Sequence, residues 1–182
     1  MSGMKISGRK AVVQPLKPTR GGFLRPFGCA WFIREYLSGH GPDGSPVIDP
    51  NIGAPQADTF YEYKMALMRA TALDKATRQE EKQAKRHKRS VDPDNIDRLY
   101  NKYLGRMRYK ANGCRYHSFV TYFSNLERLG WVQPTGREEP SSFQRNYSSG
   151  QPRRYYRLSQ SGYEASDSAW SNPYAALYGS NL

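Results

Sequence analysis

The stretch 116–158 constrains the fold most, because its apolar residues change period partway along it. Phe119, Phe123, Leu126 and Leu129 recur at steps of four, three and three, which places them on one face of a helix. Ser118, Thr121, Tyr122, Asn125 and Arg128 point elsewhere on that helix. Gly130 follows the last apolar position and can take a left-handed cap conformation at little steric cost, so the helix ends there. Trp131-Val132-Gln133 begins an extended run. Farther on, Tyr155, Tyr156 and Leu158 mark a half-buried strand over 153–158. Between the strands lies a loop, 136–152, rich in glycine, serine and proline.

Upstream, Val91-Asp92-Pro93-Asp94 reads as a helix start, with an aspartate cap, an early proline and acids facing the positive end of the helix dipole. The helix 94–109 carries Ile96, Leu99, Tyr100, Tyr103, Leu104 and Met107 at helical spacing. Lys110-Ala111-Asn112-Gly113-Cys114 supplies a turn, since Asn-Gly tolerates positive φ. Two amphipathic helices joined by a glycine-bearing turn satisfy a helix-turn-helix. Core packing alone yields such a pair, so the basic hairpin behind it carries the weight.

The order of parts, with SNLERLGWV, then the loop, then YYRLSQSGYEA, resembles a winged helix-turn-helix domain of the MarR and PadR regulator type over residues 94–165. The resemblance implies a mainly α fold with a small β-hairpin wing and, in this chain, an inserted long helix. It also implies that helix 116–129 reads a major groove and that helix 94–109 is the scaffold before it. The loop 136–152 is longer than the short wing usual in those families.

Charge points the same way. The 182 residues hold 28 Lys and Arg against 16 Asp and Glu, a net charge of +12, with a pI near 9.8. A polyanionic partner fits that balance, because neutralising phosphates releases counterions. No run is apolar for about 18 residues, which argues against a spanning helix, and no secretory signal is visible. Two cysteines, Cys29 and Cys114, are too few for a disulfide framework and suit a reducing cytoplasm. Only 37% of residues are hydrophobic and the mean hydropathy is −0.84, so part of the chain is expected to be exposed helix or loose tail.

Three segments follow. Residues 1–25 form a basic arm, Met1 to Arg34 containing no acid; such an arm suits a phosphate backbone or minor groove, and equally a solvated tail. Residues 26–165 form the winged domain, and 166–182 a C-terminal extension. Within the domain, 27–38 is expected to be helical, and 46–48 a short strand in a Gly/Pro-rich loop. His40 stands alone there. A helix at 55–73 shows a stripe of Phe60, Tyr63, Leu67 and Ala70, beside Met65, Met68 and Leu73, which suits core or dimer contact. Past Leu73 the stripe stops, and 74–90 is expected to project or fray as the continuation of an inserted helix, 55–90. KRHKR, 85–89, is the densest positive cluster; an antenna for self-association or phosphates and a solvated linker both remain open.

The site expected on this reading is Arg115 at the helix entrance, Tyr116, His117, Ser118, Thr121, Tyr122 and Asn125 in the groove, and Arg145, Arg153 and Arg154 in the wing. Asparagine matches adenine best. Packing against neighbouring helices competes for Tyr116 and Tyr122. Arginines on a basic hairpin suit the backbone or a narrow minor groove. Cys114 and His117 are spaced as half a metal site whose other ligands are missing, and no nucleophile with its base appears, so neither enzyme activity, metal nor cofactor is expected. The expectation is a cytoplasmic or nucleoid-associated protein that binds double-stranded DNA as a homodimeric transcriptional regulator, without a membrane. In the resembled families a terminal helix often builds the dimer; here the helix 55–90 is the candidate. Two rivals stay open: an assembly protein that uses the domain for protein contacts, and an RNA-binding module in which tyrosines stack on bases.

Overall fold

Helix α1, Cys29–Leu37, buries Cys29, Ala30, Phe32, Ile33, Tyr36 and Leu37, a spacing that turns one face wholly inward. The computed structural model describes residues 28–41, 45–111, 115–140 and 152–179. The basic arm 1–25, Cys114, and Arg145 with the loop tip 141–151 lie outside the described residues.

The expected strand at 46–48 reduces to one bridge between His40 and Pro46. The first strand, β1, is Ala54–Pro55 instead. Gly53, at φ +74°, leads into it so tightly that a Cβ would lie 2.0 Å from the Tyr156 carbonyl oxygen. Only glycine permits that approach. β1 pairs antiparallel with β3, Arg153–Leu158, which pairs antiparallel with β2, Val132–Glu139, in the order β1-β3-β2. Val132 lies opposite Leu158 and Glu138 opposite Arg154, with an irregularity between Pro134 and Glu138. The protein is mainly helical with this small antiparallel sheet.

Helix α2, Gln56–Arg86, runs unbroken for 31 residues, about 46 Å at ~1.5 Å per residue. Its first half buries Phe60, Tyr63, Ala66 and Leu67 in the core. Farther along, its buried face becomes Ala72, Ala76, Glu80 and Ala84, four residues apart and therefore on one stripe. Small alanines admit a second helix there without an apolar signature, which is why the polar half does not fray. That second helix is α3, Pro93–Arg106, begun by the Asp92 carboxylate accepting from the Asp94 N–H at 3.0 Å. Gln79 bonds Tyr103, while Glu80 and Gln83 bond Asn95, so α3 runs antiparallel to α2 as a hairpin.

This corrects the expected role of α3. It ends at Arg106 rather than 109, and only Leu99 on it is fully buried. The helices that pack on α4, Tyr116–Arg128, are instead α1 and the first half of α2, whose Phe60 and Tyr63 ring centroids lie 5.2 and 6.0 Å from that of Phe119. The reason is aromatic bulk: Phe60 and Tyr63 face the same core as Phe119 and Phe123, whereas the apolar face of α3 is taken up by the alanine stripe of α2.

At the end of α4 the glycine stop forms as expected. Gly130 has φ +73°, its N–H donates to Glu127 O at 2.9 Å, and the Trp131 N–H donates to Leu126 O at 3.0 Å, the paired bonds of a Schellman cap. Three short helices close the chain: α5 Gln160–Glu164, α6 Asp167–Ser171 and α7 Pro173–Tyr178. Trp170 is buried against Trp131, centroids 4.8 Å apart, and its Nε1 donates to Gly162 O at 3.0 Å.

Candidate nucleic-acid interface

Helix α4 is seated by Phe119, Phe123 and Leu126, none of which reaches solvent. Helical periodicity then presents the first two turns outward. Arg115, Tyr116, His117 and Thr121 are exposed and Ser118 is half-buried. The Thr121 hydroxyl donates to the His117 carbonyl at 3.2 Å. Tyr116 rests edge-on against Phe60 with centroids 5.1 Å apart, and partial burial pushes its phenol pKa up.

Two expected groove residues are elsewhere. Asn125 is only 7% exposed and bonds the Tyr174 phenol, while the Tyr122 ring packs against Tyr174 at 6.5 Å. The C-terminal helices cover that side of α4, which a helical wheel of α4 alone cannot reveal. The outward set contracts to Arg115, Tyr116, His117, Thr121 and the edge of Ser118.

The wing cations also behave differently from their sequence count. Arg153 pairs with Asp58 in the first turn of α2, Arg154 with Glu138 at 2.9 Å, and Arg137 with Glu139 at 2.7 Å. Arg137 additionally lies over the Tyr155 ring, 4.5 Å from its centroid. The Glu139 carboxyl is held below the ordinary carboxylate range by its hydrogen bond from Arg137. Arg157 is exposed; Arg145 lies outside the described residues.

Between α3 and α4 the chain passes Arg108, the single 3-10 turn Tyr109–Ala111 and Arg115. Lys64, buried on α2, pins this passage: its Nζ is 4.3 Å from the centroid of Tyr109 and 5.7 Å from that of Phe60. Tyr61 lies 5.9 Å from Tyr109. Tyr61, Tyr109 and Tyr116 are 50%, 38% and 47% exposed, so three tyrosine rings and the cations Arg106, Arg108, Lys110 and Arg115 share the surface around the start of α4. Tyr61 and Tyr109 were missed in the sequence. The signal for Tyr109 is an aromatic flanked by cations, Arg108-Tyr109-Lys110, whereas Tyr61, between Phe60 and Glu62, carries none.

Charge is unevenly distributed over the described residues. Residues 74–110 hold twelve Lys and Arg against six Asp and Glu, whereas the remaining described residues hold nine of each. Among the described residues no group of three His, Cys, Asp or Glu could hold a metal ion, and no helix is long and apolar enough to cross a membrane. A cavity of about 840 Å³ lies at the hairpin turn, lined by residues of both signs such as Arg89, Asp92, Asp94 and Arg98. Compared with known proteins, the chain matches no family model, no curated protein and no solved structure.

Proposed function

We propose that the protein binds double-stranded DNA through a winged helix-turn-helix made of α1, β1, the first half of α2, α4, β2 and β3, and that it acts as a homodimeric transcriptional regulator. The order β1-β3-β2, with α4 leading directly into β2, supports that architecture. The observation that carries the reading is α4: an apolar face fully inserted in the core and first turns that present Arg115, Tyr116, His117 and Thr121 together. Arg115 suits a phosphate, and the imidazole and hydroxyl suit base edges in a major groove. Arg153 and Arg154 reach the backbone only by exchanging Asp58 and Glu138 for phosphates.

The test is fluorescence anisotropy of a random duplex across a salt series, with Arg115→Ala and a His117→Ala, Thr121→Ala double variant. Arg115→Ala is expected to flatten the slope of log K against log salt by about 1. The double variant is expected to weaken a selected site by about 1–3 kcal/mol while changing random duplex less. Absence of duplex binding by the wild type at low salt removes the proposal.

The exposed Tyr61, Tyr109 and Tyr116 beside basic side chains favour one second reading, unpaired RNA bases stacked on those rings. Competition separates the two: single-stranded or looped RNA that displaces duplex DNA at a tenth of its concentration, with the effect lost in Tyr61→Ala, selects RNA.

A further inference from the structure

The turn joining α2 to α3 is built around one shielded carboxylate. Glu80 has no side-chain exposure, yet it accepts from Arg89 Nη1 at 2.5 Å and Nη2 at 3.0 Å, from the Asp92 N–H at 2.8 Å and from Asn95 Nδ2 at 2.5 Å. These bonds tie together the end of α2, the turn and the start of α3. Lys88 is held at φ +51°, the only non-glycine residue with positive φ among the described residues, and the Arg89 N–H closes back on Ala84 O at 3.0 Å. A lysine in that conformation is maintained only where its surroundings over-determine it.

Arg89 is committed to Glu80, but its basic neighbours have no such carboxylate among the described residues. Lys82, Lys85, Arg86 and Lys88 are exposed, and among the described residues none of them has an ion-pair partner. The wing is the reverse case, where Arg137, Arg153 and Arg154 are each matched by a carboxylate. The tip therefore presents free cations on a fixed frame, and a fixed frame lowers the entropy lost when a ligand is bound. From Ala72, where the buried face of α2 turns toward α3, to Arg86 is about 21 Å along the axis. That length corresponds to about six base pairs at ~3.4 Å each. Basic residues also mark the route back to α4, where Lys102, Arg106 and Lys110 are exposed beyond the acids Asp92, Asp94 and Asp97 at the start of α3.

We infer that the α2–α3 hairpin is a second phosphate-binding arm, whose tip residues Lys82, Lys85, Arg86 and Lys88 take the backbone of duplex flanking the stretch under α4. The inference rests on the DNA-binding reading above. An arm of this kind adds affinity without sequence preference, because phosphate contacts position a protein and base contacts specify the site. It also makes affinity depend on duplex length.

The experiment compares duplexes of about 12 and about 30 base pairs, random in sequence, with the full chain and two variants across a salt series. One variant carries Lys82→Gln, Lys85→Gln, Arg86→Gln and Lys88→Gln; the other carries His117→Ala and Arg115→Ala. On the long duplex the tip variant is expected to lower the salt slope by about 3.6, about 0.9 for each of four lost phosphate contacts, and to lose at least about tenfold in affinity at low salt. On the short duplex it should match the wild type. The α4 variant should weaken on both. A parallel measurement needs no substitution: acetylation of Lys82, Lys85 and Lys88 in the wild type should be suppressed by the long duplex and not by the short one.

A wild type that binds the long duplex, with a tip variant of unchanged slope and unprotected tip lysines, overturns the arm and leaves the α4 reading standing. A wild type that binds neither duplex overturns both. A tip variant whose sedimentation changes while its salt slope does not also overturns the arm, and assigns the tip to contact between copies.

Discussion

Phe119 and Glu80 are equally shielded from solvent, but they hold two helix pairs together by different physics. Around Phe119 the body joins α1, α2, α4 and the sheet through stacked, tilted and edge-on rings: Phe60, Tyr63 with Phe32 beyond it, and Phe123 with Tyr156 beyond it. The attraction there is apolar burial and dispersion, which is nearly indifferent to salt and pH. Around Glu80 the hairpin has alanines and a single ionised carboxylate with hydrogen-bond donors on several sides. A buried ion stabilises only while its donors are all present, because losing one leaves charge unmatched. The body is thus an anchor that tolerates small polar changes, while the hairpin is a frame set by one group.

The sharpest way to break that contrast is Phe119→Ala. It should lower stability by about 3–5 kcal/mol, read as a shift of the urea midpoint for the body as a whole. A loss below about 1 kcal/mol would mean that α4 is not seated as described.

Next in size is Glu80→Gln, which removes the charge that Arg89, Asp92 and Asn95 converge on. Amide exchange from Ala84 to Asn95 should accelerate while Phe119 and Phe123 amides keep their protection. Uniform acceleration through both regions would show that hairpin and body unfold as one unit.

Acid should reproduce part of that effect. The hydrogen bond from Arg89 is the first cause that lowers the Glu80 carboxyl, from 4.5 to about 2. Its folded pKa lies below its unfolded one, so its contribution is complete above about 4.5 and is lost as pH falls toward about 2. Hairpin amide protection, followed by NMR between those limits, should decline in the wild type and stay flatter in Glu80→Gln.

The smallest effect belongs to the wing. Glu138→Gln with Glu139→Gln releases Arg154 and Arg137 from their carboxylates. Stability should change by no more than about 1 kcal/mol, as for other exposed pairs. If the wing lies on the backbone, the salt slope should steepen by about 2. An unchanged slope would leave Arg115 and the hairpin tip to carry the phosphate contacts.

Much of this organisation was legible in the chain. The apolar steps of α4, the Gly130 stop, the Asp92-Pro93 start of α3 and the Tyr155 to Leu158 strand form where their local chemistry places them. The hairpin was not legible, because the stripe of Ala72, Ala76, Glu80 and Ala84 carries almost no hydrophobic signal. Nor was the exclusion of Asn125, since its neighbour Tyr174 is far along the chain. The pairing of Arg153 was not legible for a similar reason: Asp58 lies 95 residues from it.

The sequence by itself determined which residues of α4 share a face, where α3 starts and where α4 stops, since those properties depend on neighbours within a turn or two. Tertiary structure alone decided that α2 rather than α3 packs on α4, that Glu80 acquires its donors, and that Arg137, Arg153 and Arg154 meet carboxylates while, among the described residues, Lys82, Lys85, Arg86 and Lys88 do not. Those outcomes depend on distances of a few ångströms between residues remote in the chain, and Coulomb and packing energies act on such distances rather than on position in the sequence.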